Sequence, residues 1–171
     1  MPAATLPLSW NEIRNRATTF AETWAGTASE RANSQTFWNE FFEVFGKSRR
    51  RLASFEESVK RVNGSNNQQG FIDLLWKGVM LIEHKSLDGD LDDAGKQALS
   101  YFSGLRDADL PRYVLVCDFN RFRLRDLDAP AGKPDTHSFL LAELPANLEL
   151  FGFIAGYQAR EIRESDPINQ H

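Results

Sequence analysis

The sequence predicts an α/β domain in which a central mixed β-sheet of four or five strands is flanked by helices. Apolar residues at helical spacing dominate residues 9–62, whereas short β-forming runs fill residues 70–86 and 113–127. A helical pattern over residues 92–105 separates these two groups of runs. The chain has 171 residues, of which 42% are hydrophobic, so it is long enough for one domain with a substantial core.

The first two helices have clear local signals. Ser9-Trp10-Asn11-Glu12 is a capping box that begins a helix to about residue 24, because the serine hydroxyl and the glutamate carboxylate can satisfy backbone groups of the first turn. A second helix is expected over residues 34–45, and Gly46 is suited to its C-terminal cap. The many aromatic residues of these helices indicate a packed core.

A third helix is expected over residues 50–62, where apolar residues recur every three or four positions from Leu52 to Val62. Glu56 would lie at the edge of this buried stripe, whereas Glu57 would point away from it. Glu56 is therefore either a carboxylate that faces inward or an ordinary surface glutamate.

The rest of the chain predicts the sheet and two more helices. Strands are expected over residues 70–76, 79–86, 113–117, 122–127 and 138–142. Asp92 or Asp93 can cap the helix that ends near residue 105, and a last helix is expected over residues 147–158. The domain is expected to span residues 1–160, and residues 161–171 form a polar tail that is expected to be disordered.

The composition argues against several classes of protein. The chain has a single cysteine, Cys117, in a run typical of a buried strand, so neither a disulfide framework nor a zinc–cysteine cluster is expected. No secretion signal is present, and no apolar run approaches the roughly 20 residues that span a bilayer. We therefore expect a cytoplasmic protein without a membrane partner.

The charge bears on nucleic-acid binding. A formal net charge of −4 argues against a free-standing protein that binds DNA tightly. It leaves DNA chemistry open, because acidic metal ligands contribute to this charge and bound cations restore part of it. Two basic clusters occur, Lys47, Arg49, Arg50 and Arg51 in one case and Arg121, Arg123 and Arg125 in the other. Each is either a solvated face or a phosphate-binding site.

Asp73, Glu83 and Lys85 lie in otherwise apolar β-forming runs. Charged side chains lose hydration in such positions, so the three together predict a ligand that offsets this cost, most naturally a metal ion. Glu83 and Lys85 are two apart on a strand and face the same side, while His84 faces the other. Asp73 joins them only if the hairpin has an odd loop, such as Lys77-Gly78-Val79 with a left-handed glycine, or a bulge.

Convergence of these side chains would create a site for phosphodiester chemistry. Two carboxylates and a backbone carbonyl, expected from His84, present hard oxygens suited to Mg²⁺ or Mn²⁺ rather than to zinc. Lys85 would orient an attacking water or neutralise charge on the phosphate. Two alternatives stay open: Lys85 forms an internal salt bridge with either carboxylate, and His84 is a packed or surface residue instead of a catalytic base.

An ordered set of residues resembles the active site of the PD-(D/E)XK nuclease superfamily. The set comprises Glu56, Asp73, the tripeptide Glu83-His84-Lys85 after nine intervening residues, and Gln97 with Tyr101 on the next helix. Ile72 stands where the proline of the superfamily's name would be. Residues 70–76, 82–86 and 111–119 look more closely like the N-terminal endonuclease domain of MmeI-like, type IIL restriction-modification enzymes.

This resemblance implies a restriction-endonuclease-like fold and a type II restriction endonuclease that hydrolyses phosphodiester bonds of double-stranded DNA. It implies that Asp73 and Glu83 bind Mg²⁺, for which Mn²⁺ can substitute, together with the backbone carbonyl of His84 and, less directly, Glu56. It also implies that Lys85 is catalytic and that Gln97 supports the site or touches phosphate. A double-strand break would need a second copy.

In that family the domain is fused to a helical spacer, an S-adenosylmethionine-dependent methyltransferase and a target-recognition domain. The chain is therefore expected to be an N-terminal piece whose tail begins the linker, with S-adenosylmethionine bound only by the absent methyltransferase. One rival is a catalytically silent nuclease fold that serves as a binding or interaction module of a methyltransferase-like defence protein. A second rival is a free-standing nuclease that acts on RNA or on single strands.

Overall fold

A mixed sheet of six strands forms the centre of the domain in a computed structural model, which describes residues 7–27, 31–63, 66–87 and 89–156. The strands lie side by side in chain order, and β3 and β4 are parallel while the other neighbours are antiparallel. They are β1 Ser54–Asn63, β2 Asn66–Trp76, β3 Met80–His84, β4 Tyr113–Cys117, β5 Arg121–Asp126 and β6 Thr136–Leu140. The α/β class with a mixed sheet is confirmed, with one strand more than expected.

The helices cover both faces of this sheet. They are α1 Trp10–Trp24, α2 Arg31–Val44, α3 Arg49–Leu52, α4 Leu91–Ser100 and α5 Gly152–Ala155. The capping prediction for α1 is confirmed, because the Ser9 hydroxyl accepts the Glu12 amide at 3.1 Å. Asp90 caps α4 in place of the expected Asp92 or Asp93, since its carboxylate accepts the amides of both. No helix in the described part of the chain is both long and apolar enough to cross a membrane.

The prediction of a helix over residues 50–62 is wrong. The helical turn α3 ends at Leu52, and residues 54–63 pair with β2 as an antiparallel strand. The apolar positions from Leu52 to Val62 match a helical stripe by spacing, but Phe55, Glu57 and Val59 also match strand alternation. Pairing along the whole length of β2 and burial of Val59 select the strand, which local periodicity does not reveal.

The expected last helix over residues 147–158 is largely wrong as well. Short 3₁₀ turns cover Leu141–Ala146 and Leu148–Phe151, and α5 has only four residues. Gly156 ends α5 in a left-handed conformation with a φ of 87°, which interrupts the α-helical hydrogen-bonding pattern. The expected domain end at residue 160 and the polar tail lie outside the described residues.

Two hydrophobic cores hold the domain together, one on each face of the sheet. The larger core packs the aromatic residues of α1 and α2 against the sheet, and the smaller core packs α4 against the other face. In β2, Leu74 belongs to the larger core, whereas Ile72, two residues earlier, belongs to the smaller one. In β1, Phe55 packs against the larger core, whereas Val59 belongs to the smaller one. Strict alternation would keep each pair on one face, so both strands twist beside Asp73.

Candidate active site

The loop between β2 and β3 brings the two acidic residues together. Trp76 pairs with Met80, which leaves three loop residues, and Gly78 at their centre has a φ of 76°. The predicted odd loop with a left-handed glycine is therefore confirmed. Because Leu74 pairs with Ile82, the next position sets Asp73 opposite Glu83, with both on one face of the sheet.

The two carboxylates accept hydrogen bonds from backbone amides at the point where regular pairing between β2 and β3 ends. Backbone pairing between β2 and β3 is regular only as far as Leu74 and Ile82. Beyond it, the His84 amide donates to Asp73 Oδ2 at 2.8 Å, and the Asp73 amide lies 3.4 Å from Glu83 Oε1. Each carboxylate thus accepts from the backbone of the opposite strand. Since the Glu83 side chain is only 3% exposed, its position is fixed before any ligand binds.

Lys85 follows β3 and reaches into the same cavity. Its backbone amide donates to the Cys117 carbonyl at 2.8 Å, which ties this residue to the end of β4. Its ammonium group donates to Gln97 Oε1 at 3.1 Å, and Gln97 Nε2 in turn donates to the hydroxyl of Tyr101 at 2.9 Å. Within the described ranges Lys85 forms no ion pair, so the alternative of an internal salt bridge is not what the structure shows.

His84 lies on the opposite face, as predicted from its place between Glu83 and Lys85. Its Nδ1 accepts the indole N–H of Trp38 at 3.0 Å, and its ring lies 4.3 Å from the Phe119 ring, centre to centre. Its Nε2 is buried, with no hydrogen-bond partner among the described residues. Burial lowers the pKa of His84 to about 4, although the charge of Asp118 acts in the opposite direction. His84 is therefore a packed neutral imidazole, and its side chain does not face the carboxylates.

A cavity of about 920 Å³ opens over the acidic pair. Asp73, Glu83, Lys85 and Gln97 all line it, so the four predicted catalytic residues share one pocket. The remaining lining comes from α2, β1, β2, the end of β3 and α4, through Ser34, Gln35, Trp38, Phe55, Glu56, Gly70, Phe71, His84, Ser86 and Tyr101. The cavity is large enough to admit a phosphodiester and its neighbouring sugars.

Glu56 reaches the cavity from a strand and not from the predicted helix. It lies on β1 opposite Asp73, between the paired positions of Phe55 and Glu57, and its φ of 51° is unusual for a residue other than glycine. Its side chain is exposed on the cavity wall. A ligand role for Glu56 stays a prediction.

The donors present fit a hard divalent cation. In the part of the chain that the structure describes, no three His, Cys, Asp or Glu side chains form a metal-binding group. Zinc sites use three or four such ligands, whereas Mg²⁺ is commonly held by one or two carboxylates and retains several waters. Asp73 and Glu83, facing each other in an open cavity, match the second pattern. The backbone carbonyl of His84 is the third oxygen that we expected.

Sequence reasoning missed three residues of the site. The aromatic content of the second helix predicts only a packed core and does not single out Trp38, whose indole N–H donates to His84, 46 positions later in the chain. Phe55 was assigned to a helix stripe and instead lines the cavity from β1. Phe71, which is 57% exposed, projects from β2 into the same cavity. Strand alternation, which puts residues two apart on one side, was the available signal for Phe71, two positions before Asp73.

Comparison with known proteins gave one family and one structural neighbour. The family described as the N-terminal domain of MmeI matches residues 15–171. No curated protein matches. A cryo-EM structure of a DrdV–DNA complex contains a similar fold, with a TM-score of 0.46 and 17% sequence identity. That match covers 88% of this chain but only 14% of the DrdV chain.

Proposed function

Because the chain belongs to the family of MmeI N-terminal domains, we propose that it is the Mg²⁺-dependent endonuclease module of a restriction-modification enzyme. Its substrate is double-stranded DNA, and its reaction is hydrolysis of a phosphodiester bond. Asp73 and Glu83 hold the metal ion. Lys85 stabilises charge on the reacting phosphate, and Gln97 holds Lys85 in position. We place the protein in the cytoplasm, where such an enzyme meets DNA.

The observation that carries this proposal is the placement of two facing carboxylates and an amine in one cavity. Asp73 and Glu83 lie opposite each other, and the Lys85 ammonium group donates to a neutral amide at 3.1 Å. Two carboxylates can bind a hard divalent cation, and a neighbouring ammonium group can bind a phosphate, so one cavity carries the groups that metal-dependent phosphodiester hydrolysis uses.

The chain's own residues have distinct tasks in this reaction. When bound, the metal ion polarises the phosphodiester and lowers the pKa of a water. The His84 amide holds the Asp73 carboxylate in position at 2.8 Å. Gln97 holds the Lys85 ammonium group, which can stabilise the charge that develops on the phosphate oxygens. Tyr101, 2% exposed, fixes the orientation of Gln97 through its hydroxyl group.

Calorimetric titration with Mn²⁺ tests the metal-binding part of the proposal. We expect one or more binding events in the wild-type chain that disappear in Asp73→Asn and Glu83→Gln. Glu22→Gln, which removes an exposed carboxylate on α1, is the matched control and should bind as the wild type does. A catalytically silent scaffold predicts that all four proteins behave alike, and that result would overturn the proposal.

Cleavage assays test the substrate class. We expect the wild-type chain with Mg²⁺ to nick supercoiled plasmid, while EDTA abolishes nicking. Faster cleavage of RNA or of single-stranded DNA would favour the free-standing nuclease instead. Should Mn²⁺ bind at Asp73 and Glu83 without any cleavage, the metal site would stand and the enzymatic assignment of this isolated chain would fall.

We further propose that this module works within a longer polypeptide. A single site cuts one strand, so a double-strand break needs a second copy on the same DNA. The downstream parts would be a helical spacer, a methyltransferase that binds S-adenosylmethionine, and a target-recognition domain. The test is the product formed by the full-length enzyme: linear plasmid should accumulate with a second-order dependence on enzyme, and a first-order dependence would contradict the pairing of copies.

A further inference from the structure

The two basic clusters of the sequence differ in how their charge is balanced. On β5, each arginine of the outward face has an acidic neighbour. Arg121 lies 2.8 Å from Asp118, Arg123 lies 2.5 Å from Asp92, and Arg125 lies 4.0 Å from Asp135. Their positive charge is neutralised within the domain. The β5 cluster is therefore a poor candidate for binding phosphate.

The cluster at α3 is not neutralised in this way. Lys47 is half-exposed, Arg50 and Arg51 are exposed, and none of the three forms an ion pair with any residue in the described ranges. Burial, and next the charge of Arg50, lower the pKa of Arg49, so like charges are crowded here. Positive side chains held close together without a neighbouring carboxylate repel one another, and a bound anion lowers this repulsion. We call Lys47, Arg50 and Arg51 the α3 basic patch.

Arg49 connects this patch to a residue that lines the active-site cavity. Its guanidinium group lies 4.0 Å from the centre of the Phe55 ring, and Phe55 lines the cavity. It also donates to Asn39 of α2 at 2.7 Å and to the Ala53 carbonyl at 2.9 Å. Consecutive Cα atoms are about 3.8 Å apart, so the Cα atoms of Arg50 and Arg51 lie within about 8 Å of the Arg49 Cα.

We infer that the α3 basic patch binds the sugar–phosphate backbone of the duplex whose scissile phosphate enters the cavity. This inference rests on the proposed function and adds the surface that holds the substrate. The formal net charge of the chain is −4, so a patch of exposed positive charge connected to the cavity by Arg49 is the surface on which DNA binding is favoured. Backbone contacts of this kind orient DNA without reading its sequence.

Equilibrium binding of a labelled duplex in EDTA tests the patch without requiring catalysis. The variant Arg50→Gln/Arg51→Gln removes two positive charges from the patch, and Arg123→Gln/Arg125→Gln removes the same number from β5. We expect the α3 variant to bind about 10-fold or more weakly at low salt. Its plot of log affinity against log salt concentration should be shallower by about 1.8, because each phosphate contact contributes about 0.9.

The β5 variant separates a local contact from an effect of net charge. We expect it to keep the wild-type slope and to lose little affinity. Equal losses in both variants, a wild-type slope in the α3 variant, or no duplex binding by the wild-type chain would each overturn the inference. Plasmid nicking with Mg²⁺ distinguishes this failure from failure of the proposed function: a wild-type chain that binds the duplex in EDTA but never nicks overturns only the proposed function, whereas a wild-type salt slope in the α3 variant overturns only the inference.

Discussion

Neighbouring residues of β3 have opposite surroundings on the two faces of the strand. On one face, Glu83 meets a second carboxylate and a nearby amine in an open cavity. On the other face, His84 is packed among aromatic rings and hydrogen-bonded to Trp38. The first face concentrates charged side chains in the cavity, and the second contributes packing that keeps the strand in place. Under the proposed function, the residues of the first face act on substrate and those of the second hold them in position.

A single residue connects the two faces. The His84 amide donates to the Asp73 carboxylate on the cavity side, while its imidazole accepts from Trp38 on the core side. The packing of α2 therefore reaches the carboxylate pair of the cavity through one residue of β3. Substitutions on the cavity face should change chemistry and spare stability, whereas those on the core face should change stability first.

The largest expected effect is at the acidic pair. Asp73→Asn and Glu83→Gln should each slow Mg²⁺-dependent nicking by about 1,000-fold or more, because each removes a proposed metal ligand worth several kcal/mol in the transition state. Without metal, either variant should be at least as stable as the wild type, since it removes one of two facing negative charges. Plasmid nicking rates and urea unfolding in EDTA measure the two quantities. A variant that unfolds several kcal/mol more easily would show that the pair is structural.

Lys85→Met should have the next largest effect, a loss of about 100-fold to 1,000-fold in the nicking rate, because a positive charge near the phosphate disappears. Mn²⁺ binding should persist, since Lys85 donates to Gln97 and not to a metal ligand. Lys133→Met, at an exposed position, is the matched control and should cleave as the wild type does. A Lys85→Met chain that nicks within about 3-fold of the wild-type rate would remove the lysine from the mechanism.

On the core face, His84 should make stability depend on pH. Its pKa is about 4 in the fold and 6.5 in the unfolded chain, so between these values the unfolded chain binds the proton and the folded chain does not. The contribution of His84 is fully present above about pH 6.5 and is lost as the pH falls toward 4, by about 3 kcal/mol in total. Urea unfolding of wild type and His84→Gln in EDTA, near pH 7 and near pH 4, measures it. Identical pH dependence in both proteins would contradict a buried neutral histidine.

The smallest expected effect is at Trp38. Trp38→Phe leaves His84 Nδ1 without its donor in a buried setting and should lower the free energy of unfolding by about 1–3 kcal/mol beyond the loss of packing. Trp24→Phe is the matched control, because the acceptor of that indole, Glu40, is half-exposed and water can replace the donor. Chemical denaturation of both variants isolates the difference. Equal destabilisation would show that the Trp38–His84 bond adds nothing beyond packing.

Features set by local geometry could be predicted from the sequence. Strand parity placed Glu83 and Lys85 on one side, and the glycine-centred loop gave the odd length that brings Asp73 to them. The cap at Ser9 followed from four adjacent residues. In each case the deciding contacts lie within one or two neighbouring elements, where backbone geometry leaves few choices.

Features set by distant contacts could not be predicted. The strand β1 was mistaken for a helix because its partner strand, and not its own spacing, decides its conformation. Trp38 carries no local sign that it will meet His84. Whether a basic cluster is neutralised likewise depends on acidic residues that are distant in the chain. Arg123, for example, pairs with Asp92, which is 31 positions away.

The central claim is that Asp73 and Glu83 share a divalent cation beside Lys85, and anomalous diffraction from crystals of the wild-type chain grown with Mn²⁺ tests it most directly. We expect an anomalous peak within about 2.5 Å of oxygens from both carboxylates, absent from crystals of Glu83→Gln. A peak bound elsewhere, or none at saturating Mn²⁺ while the cavity is open to solvent, would contradict the assignment of this cavity as a metal-dependent nuclease site.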